Sequence, residues 1–107
     1  MRNWNISPKL MCNKHLVGEH GEIHKSVANL RYTKKWTLSL TAKGFLEPQN
    51  FLERHNELAK EMINRRMNHR SPLDVSELYL PKGKVDIRKS ISDLKERCPQ
   101  CRFILKV

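Results

Sequence analysis

The stretch from Pro48 to about Asn68 admits one regular structure. Phe51, Leu52, His55, Leu58, Ala59, Met62 and Ile63 recur at the spacings that put them on one stripe of a helix. Glu53, Arg54, Lys60, Glu61, Arg65 and Arg66 fall mostly on the remaining faces. Pro48 suits the first turn, where its missing N–H is no loss. A helix with one apolar stripe must bury it against other elements, and the sequence supplies two more of the same period. Leu16, Ile23, Val27 and Leu30 lie within a segment running from Cys12 or Asn13 to about Tyr32, with Asn13 as the expected N-cap. Ile87, Ile91 and Leu94 mark a third segment, capped by Asp86 and ending near Cys98, because Pro99 disfavours a helical residue before it. Gly18 and Gly21 interrupt the first segment, each at a cost of about 1 kcal/mol against Ala, unless something approaches the backbone there.

Between these segments the chain reads as connection. Trp36 to Leu40 alternates weakly and has no partner strand of similar quality. Arg70 to Lys84 contains Pro72, Pro81 and Gly83 and reads as a long irregular loop, often a functional feature in so small a unit. The expected fold is all-α: one domain over residues 1–107, three main helices with long irregular loops, and a frayed tail over 98–107.

The charge sets the expected partner. With 21 Lys+Arg against 11 Asp+Glu the net charge is +10, and 38% hydrophobic residues exclude a disordered tail. No apolar run reaches the roughly 20 residues of a membrane span, and the N-terminus lacks the apolar core of a secretory signal. Lys25, Lys34, Lys35, Lys43, Arg65, Arg66 and Arg70 are spread along the chain, as expected of a phosphate-binding surface rather than a basic tail. No helix-turn-helix, finger or RNP pattern is present, so backbone phosphates should dominate binding. The expected partner is DNA and the expected compartment the cytoplasm (of a host cell if the source is viral) or the nucleoid, with no membrane association.

Three cysteines, an odd number, do not fit a closed disulfide framework and suit a reducing compartment. Cys98 and Cys101 have the spacing of half a zinc site, but a tetrahedral site needs four ligands, so Cys12 and one histidine would have to be recruited. The pair is read instead as reduced thiols in the tail, with no metal and no cofactor. His15, Glu19 and Glu22 share one face of the first helix and form a candidate acid/base site. His15, Glu19, His20 and His24 also include metal-type spacings, although their order does not follow HExxH. The plain alternative is that Glu22 pairs with Lys25 and Glu19 with a loop arginine.

The segment HLVGEHGEIHK, His15 to Lys25, resembles the H-L-x-(A/G)-E-(aromatic or His)-R-E-(L/I) helix of the pyrimidine-dimer DNA glycosylases, small phage and viral enzymes also called dimer-specific endonuclease V. Asn50 to Arg54 through Asn64 to Arg66 is similar to that family's second helix, and Glu77 to Pro81 stands before the Ile87–Leu94 segment as the family's D-Y-I-P stands before its third. The resemblance implies a monomeric glycosylase and abasic-site lyase acting on double-stranded DNA with damaged or abasic sites, with pyrimidine dimers as the expected lesion. It implies that the N-terminal amine, here that of Met1, attacks the sugar C1′ and forms an imine, and that β-elimination then cleaves the strand. It assigns Glu22 as the catalytic acid/base and Arg2, His15 and Lys25 as substrate-binding residues, to which the basic surface adds Arg65 and Arg66. Gly21 stands where the family has arginine, Lys25 replaces another arginine, and CPQCRFILKV replaces an aromatic C-terminus. His20 or His24 are the candidates to compensate. A non-enzymatic DNA-binding protein and a small metal-dependent nuclease built on the His/Glu cluster are the rival readings.

Overall fold

In each of the three periodic segments the apolar spacing becomes a helix, and two further helices form where the spacing gave no signal. The computed structural model describes residues 2–69 and 72–105. Its helices are α1 (Asn13–Arg31), α2 (Lys35–Ala42), α3 (Phe51–Asn64), α4 (Ile87–Arg97) and α5 (Pro99–Leu105), with single 3-10 turns at Pro8–Leu10 and Pro48–Asn50. Among the described residues there is no strand, so the all-α expectation holds, with five helices rather than three. No helix among them is long and apolar enough to cross a membrane.

Helix α1 packs against α3 and α2. Leu16, Ile23, Val27 and Leu30 meet Phe51, Leu58 and Met62 in one buried cluster; each such side chain contributes roughly 1.5–3 kcal/mol on burial. Two details of α1 differ from expectation. Its N-cap is Cys12, in extended conformation, and Asn13 is already the first helical residue. The helix also runs unbroken through Gly18 and Gly21, where an added Cβ would meet nothing within 4 Å, so neither glycine marks a close approach. Gly83 does: a Cβ there would lie 2.2 Å from the Leu46 carbonyl oxygen.

Helix α3 follows the turn begun by Pro48 and stops at Asn64, short of Asn68, where Arg66 turns left-handed at φ 62°. Leu52 and Ile63 lie outside the core, 42% and 59% exposed, while Arg54, placed by spacing on the polar side, is buried. Asp86 caps α4 as expected, accepting from the Arg88 and Lys89 N–H groups. Residues 72–85 carry neither helix nor strand, in keeping with the expected loop.

The two unexpected helices hide their signal in polar or short sequence. In α2 the buried positions are Thr37 and Thr41, whose hydroxyls bond to Ser26 and Asn29 and to the Thr37 carbonyl, so its inner face is not hydrophobic in sequence. Residues 99–105, expected as tail, form α5 because Pro99 opens a new turn and Cys101 is fully buried against Cys12 and Cys98. The segment before α1 is pinned residue by residue. Asn3 N–H bonds to the Phe45 carbonyl at 2.7 Å, Asn3 Oδ1 accepts from Glu47 N–H at 3.0 Å, and the Ile6 carbonyl accepts from Arg54 at 2.8 Å.

Candidate active site

The pinned N-terminal segment runs along the carboxylate face of α1. Trp4 N–H donates to Glu19 Oε1 at 3.1 Å, and Arg2 N–H donates to Glu22 Oε2 at 3.0 Å. Glu19 and Glu22 are three positions apart on α1, and alternate backbone donors of the N-terminal segment meet these two carboxylates of the helix face. The two carboxylates then differ in chemistry. Glu19 is buried in a bidentate ion pair with the Arg54 guanidinium of α3, through Nε to Oε2 and Nη2 to Oε1. Its partner is therefore a helix arginine, not a loop one, and Glu19 holds the fold. Glu22 is only partly buried and opens onto a cleft.

That cleft, about 270 Å³, is lined by Arg2, Trp4, Lys14, His15, Gly18, Glu19, Glu22 and Arg97. It brings together four of the residues read from sequence: Arg2, His15, Glu19 and Glu22. Spacing alone missed Trp4, Lys14 and Arg97 as site residues; the positive charge of Lys14 and Arg97 was visible, but their convergence depends on α4 reaching the N-terminal segment. Met1, the nucleophile that the resemblance implies, lies outside the described residues. Arg2 is 7% exposed, with its guanidinium 2.8 Å from Asp93 of α4 and over the rings of Trp4 and Phe45 at 4.4 and 5.1 Å. Its side chain thus fixes the segment to α4.

The remaining expected residues sit apart from the cleft lining. Lys25 is exposed one turn beyond Glu22. Arg65 is spent on protein contacts, donating to Glu61, Asn13 and the Pro8 carbonyl at 2.8, 2.9 and 3.0 Å, while Arg66 is exposed.

The structure divides the histidine-rich segment. His15 turns toward the cysteines and stacks edge-on against Trp4; burial and the neighbouring Lys14 lower its pKa, against the opposing pull of Glu22. His20 and His24 turn the other way, onto His55 of α3 and onto His69, with ring centroids 4.5–5.3 Å apart. His20 Nε2 lies 2.8 Å from His69 Nε2. Burial, then His55, His24 and His69, push the His20 pKa down to about 4. Two sets of side chains converge closely enough to share an ion: Cys12, His15, Cys98 and Cys101, and His20, His24 and His55. Neither contains a carboxylate, so the single His/Glu metal cluster of the sequence reading does not form among the described residues. In the first set, burial pushes the Cys101 thiol up to about 12.

The family profile described as pyrimidine dimer DNA glycosylase matches residues 1–75, a span that contains Glu22, Arg2, His15 and the whole of α1 to α3. No curated protein and no solved structure matches the chain.

Proposed function

The chain belongs to the pyrimidine dimer DNA glycosylase family, and from that premise we propose that it cleaves damaged DNA through an imine formed by the Met1 amine. The observation that carries this reading is the Arg2 N–H···Glu22 Oε2 bond of 3.0 Å. One peptide unit, about 3.8 Å between successive Cα atoms, separates Arg2 from residue 1. A carboxylate bonded to the Arg2 amide is therefore within reach of an amine on residue 1.

The chemistry follows from those two groups. An α-amine titrates near 7.7–8.0, so a useful fraction is unprotonated at neutral pH. Its lone pair attacks C1′ of the damaged nucleotide while the C1′–N bond breaks, and the base leaves with that electron pair and a proton. Loss of the amine proton and opening of the sugar ring give the imine. Glu22 takes the proton shed by the attacking amine, returns it to the ring oxygen O4′ as the sugar opens, and stabilises the cationic intermediate. In the lyase step a 2′ proton is removed, the imine accepts the electrons, and the 3′ phosphate departs.

The surrounding residues position the strand. Arg2 holds the N-terminal segment through Asp93 and faces the cleft, where the resemblance implies a phosphate contact. Lys14 and Arg97 form a cationic rim on the cleft, with Lys25 and Arg66 as outer phosphate contacts and Arg65 a lesser one. His15 positions the substrate at the cleft wall. The enzyme acts as a monomer on double-stranded DNA at dimers and abasic sites.

The test is Glu22→Gln assayed on duplex DNA containing pyrimidine dimers and on abasic duplex. Strand cleavage should fall about 10²–10⁴-fold, the range of a lost acid/base group, with DNA affinity equal or higher because a negative charge is gone. Cleavage retained at wild-type rate would remove Glu22 from the mechanism.

A further inference from the structure

Four ligand-type side chains meet where the start of α1 touches α5, and the cleft chemistry does not use them as a set. Cys12, His15, Cys98 and Cys101 bring three Sγ atoms and one imidazole nitrogen within 4.8 Å of one another. Cys12 Sγ lies 3.8 Å from Cys98 Sγ and 3.2 Å from His15 Nδ1, and Cys101 Sγ lies 3.6 Å from the same nitrogen. We propose that these four residues bind one zinc ion in a closed structural site.

Three of the distances lie close to the edges of a tetrahedron around zinc. Zn–S bonds of about 2.3 Å and Zn–N bonds of about 2.0–2.1 Å place sulfurs about 3.8 Å apart and sulfur about 3.5 Å from nitrogen. The edges of 3.8, 3.2 and 3.6 Å lie within about 0.3 Å of that pattern. A disulfide needs sulfurs about 2.0 Å apart, and all three cysteines are free. Three thiolates and an imidazole select zinc over calcium or magnesium, and four protein ligands leave no open position for catalysis.

Sequence and backbone agree with the geometry. Cys12-x2-His15 and Cys98-x2-Cys101 are two half-sites, each at the first turn of a helix. The Cys12 N–H donates to Cys101 Sγ and the Cys101 N–H to Cys98 Sγ, both at 3.4 Å, the kind of contact that orients a thiolate ligand and spreads its charge. Cys12, Cys98 and Cys101 are 5%, 8% and 0% exposed, so the ion would be shielded from water on the sulfur side. The ion joins two points 86 residues apart, clamping α5 to the entry of α1 and fixing the His15 ring beside the cleft. This replaces the expectation of a metal-free tail, and it holds whether or not the glycosylase mechanism does.

The experiment uses the full chain stripped by chelation under reducing conditions and titrated with Co²⁺, then Zn²⁺. One equivalent of cobalt should give thiolate-to-cobalt charge transfer in the near ultraviolet and the intense visible bands of a tetrahedral ion, and zinc should abolish both. Free zinc at a hundredfold excess over Kd should raise the thermal midpoint by more than about 10 °C. If chelation unfolds the chain, refolding on one equivalent of zinc is the same result. Cys98→Ser/Cys101→Ser should lose the charge-transfer band, and His20→Gln, in the separate histidine cluster, should keep it. Cobalt binding without thiolate charge transfer, a band that survives the double cysteine variant, or a thermal midpoint indifferent to zinc would each overturn the site.

Discussion

The cleft is built by two regions that contribute in different ways. Residues within the family match, from the N-terminal segment to α3, supply the Glu22 carboxylate, the backbone bonded to it, and the Glu19–Arg54 pair beneath. The helix pair α4–α5, which begins after the match ends, supplies no carboxylate to the cleft. It contributes Asp93 on the Arg2 guanidinium, Arg97 on the rim, and two thiols beside Cys12 and His15. One region holds the carboxylates that face the N-terminal segment; the other contacts the Arg2 guanidinium and His15. Substitutions in the first should therefore cost stability or chemistry outright, and in the second should cost activity through misplacement.

The largest effect expected in this comparison is at Arg54. It is 5% exposed and Glu19 1%, so Arg54→Met strands a buried carboxylate at a cost of about 3–5 kcal/mol. A thermal melt should drop by more than about 10 °C, and adding Glu19→Leu should recover most of the loss. A double variant no better than the single one would mean that the pair is not the source of the cost.

Asp93→Asn should be smaller and of a different kind. It removes one charge-assisted bond to Arg2, worth about 1.5–3 kcal/mol, from a partly exposed site. Cleavage should fall about tenfold while DNA affinity holds. Equal loss of stability with unchanged cleavage would reduce α4 to a prop and dissolve the distinction between the two regions.

The pH dependence of the histidine cluster in the first region is comparable in size and falls on stability alone. The His20 pKa is held near 4 in the fold against 6.5 when free, so the unfolded chain binds the extra proton between those values. Stability is then full above about pH 6.5 and falls as pH drops toward 4, by at most about 1.4 kcal/mol per unit. Denaturation midpoints at pH 7 and pH 5 measure the slope, and His20→Phe should flatten it. A slope unchanged in that variant would place the sensitivity elsewhere.

What could be read from sequence follows how local each signal was. The stripes Leu16–Leu30 and Phe51–Met62 are local and apolar, and both helices formed where they pointed. Helix α2 was missed because threonines face inward, and α5 because seven residues carry too little period to register. The face shared by His15, Glu19 and Glu22 was legible at i, i+4 and i+7, and all three line one cleft. Their division of labour was not: it depends on Arg54 coming from α3 and on Cys98 and Cys101 coming from the far end of the chain. Long-range partners leave no period in a sequence.

The most direct test of the central claim is borohydride trapping on duplex DNA with a single abasic site, using the chain with a free Met1 amine and the same chain acetylated or extended there. The free-amine protein should form a covalent adduct, and peptide mapping should find it on residue 1. The blocked protein should bind DNA and melt normally but trap nothing, because a nucleophile must be held within about half an ångström of its working position. An adduct of undiminished yield on the blocked protein, mapping to Lys14 or Lys25, would contradict the assignment of the N-terminal amine.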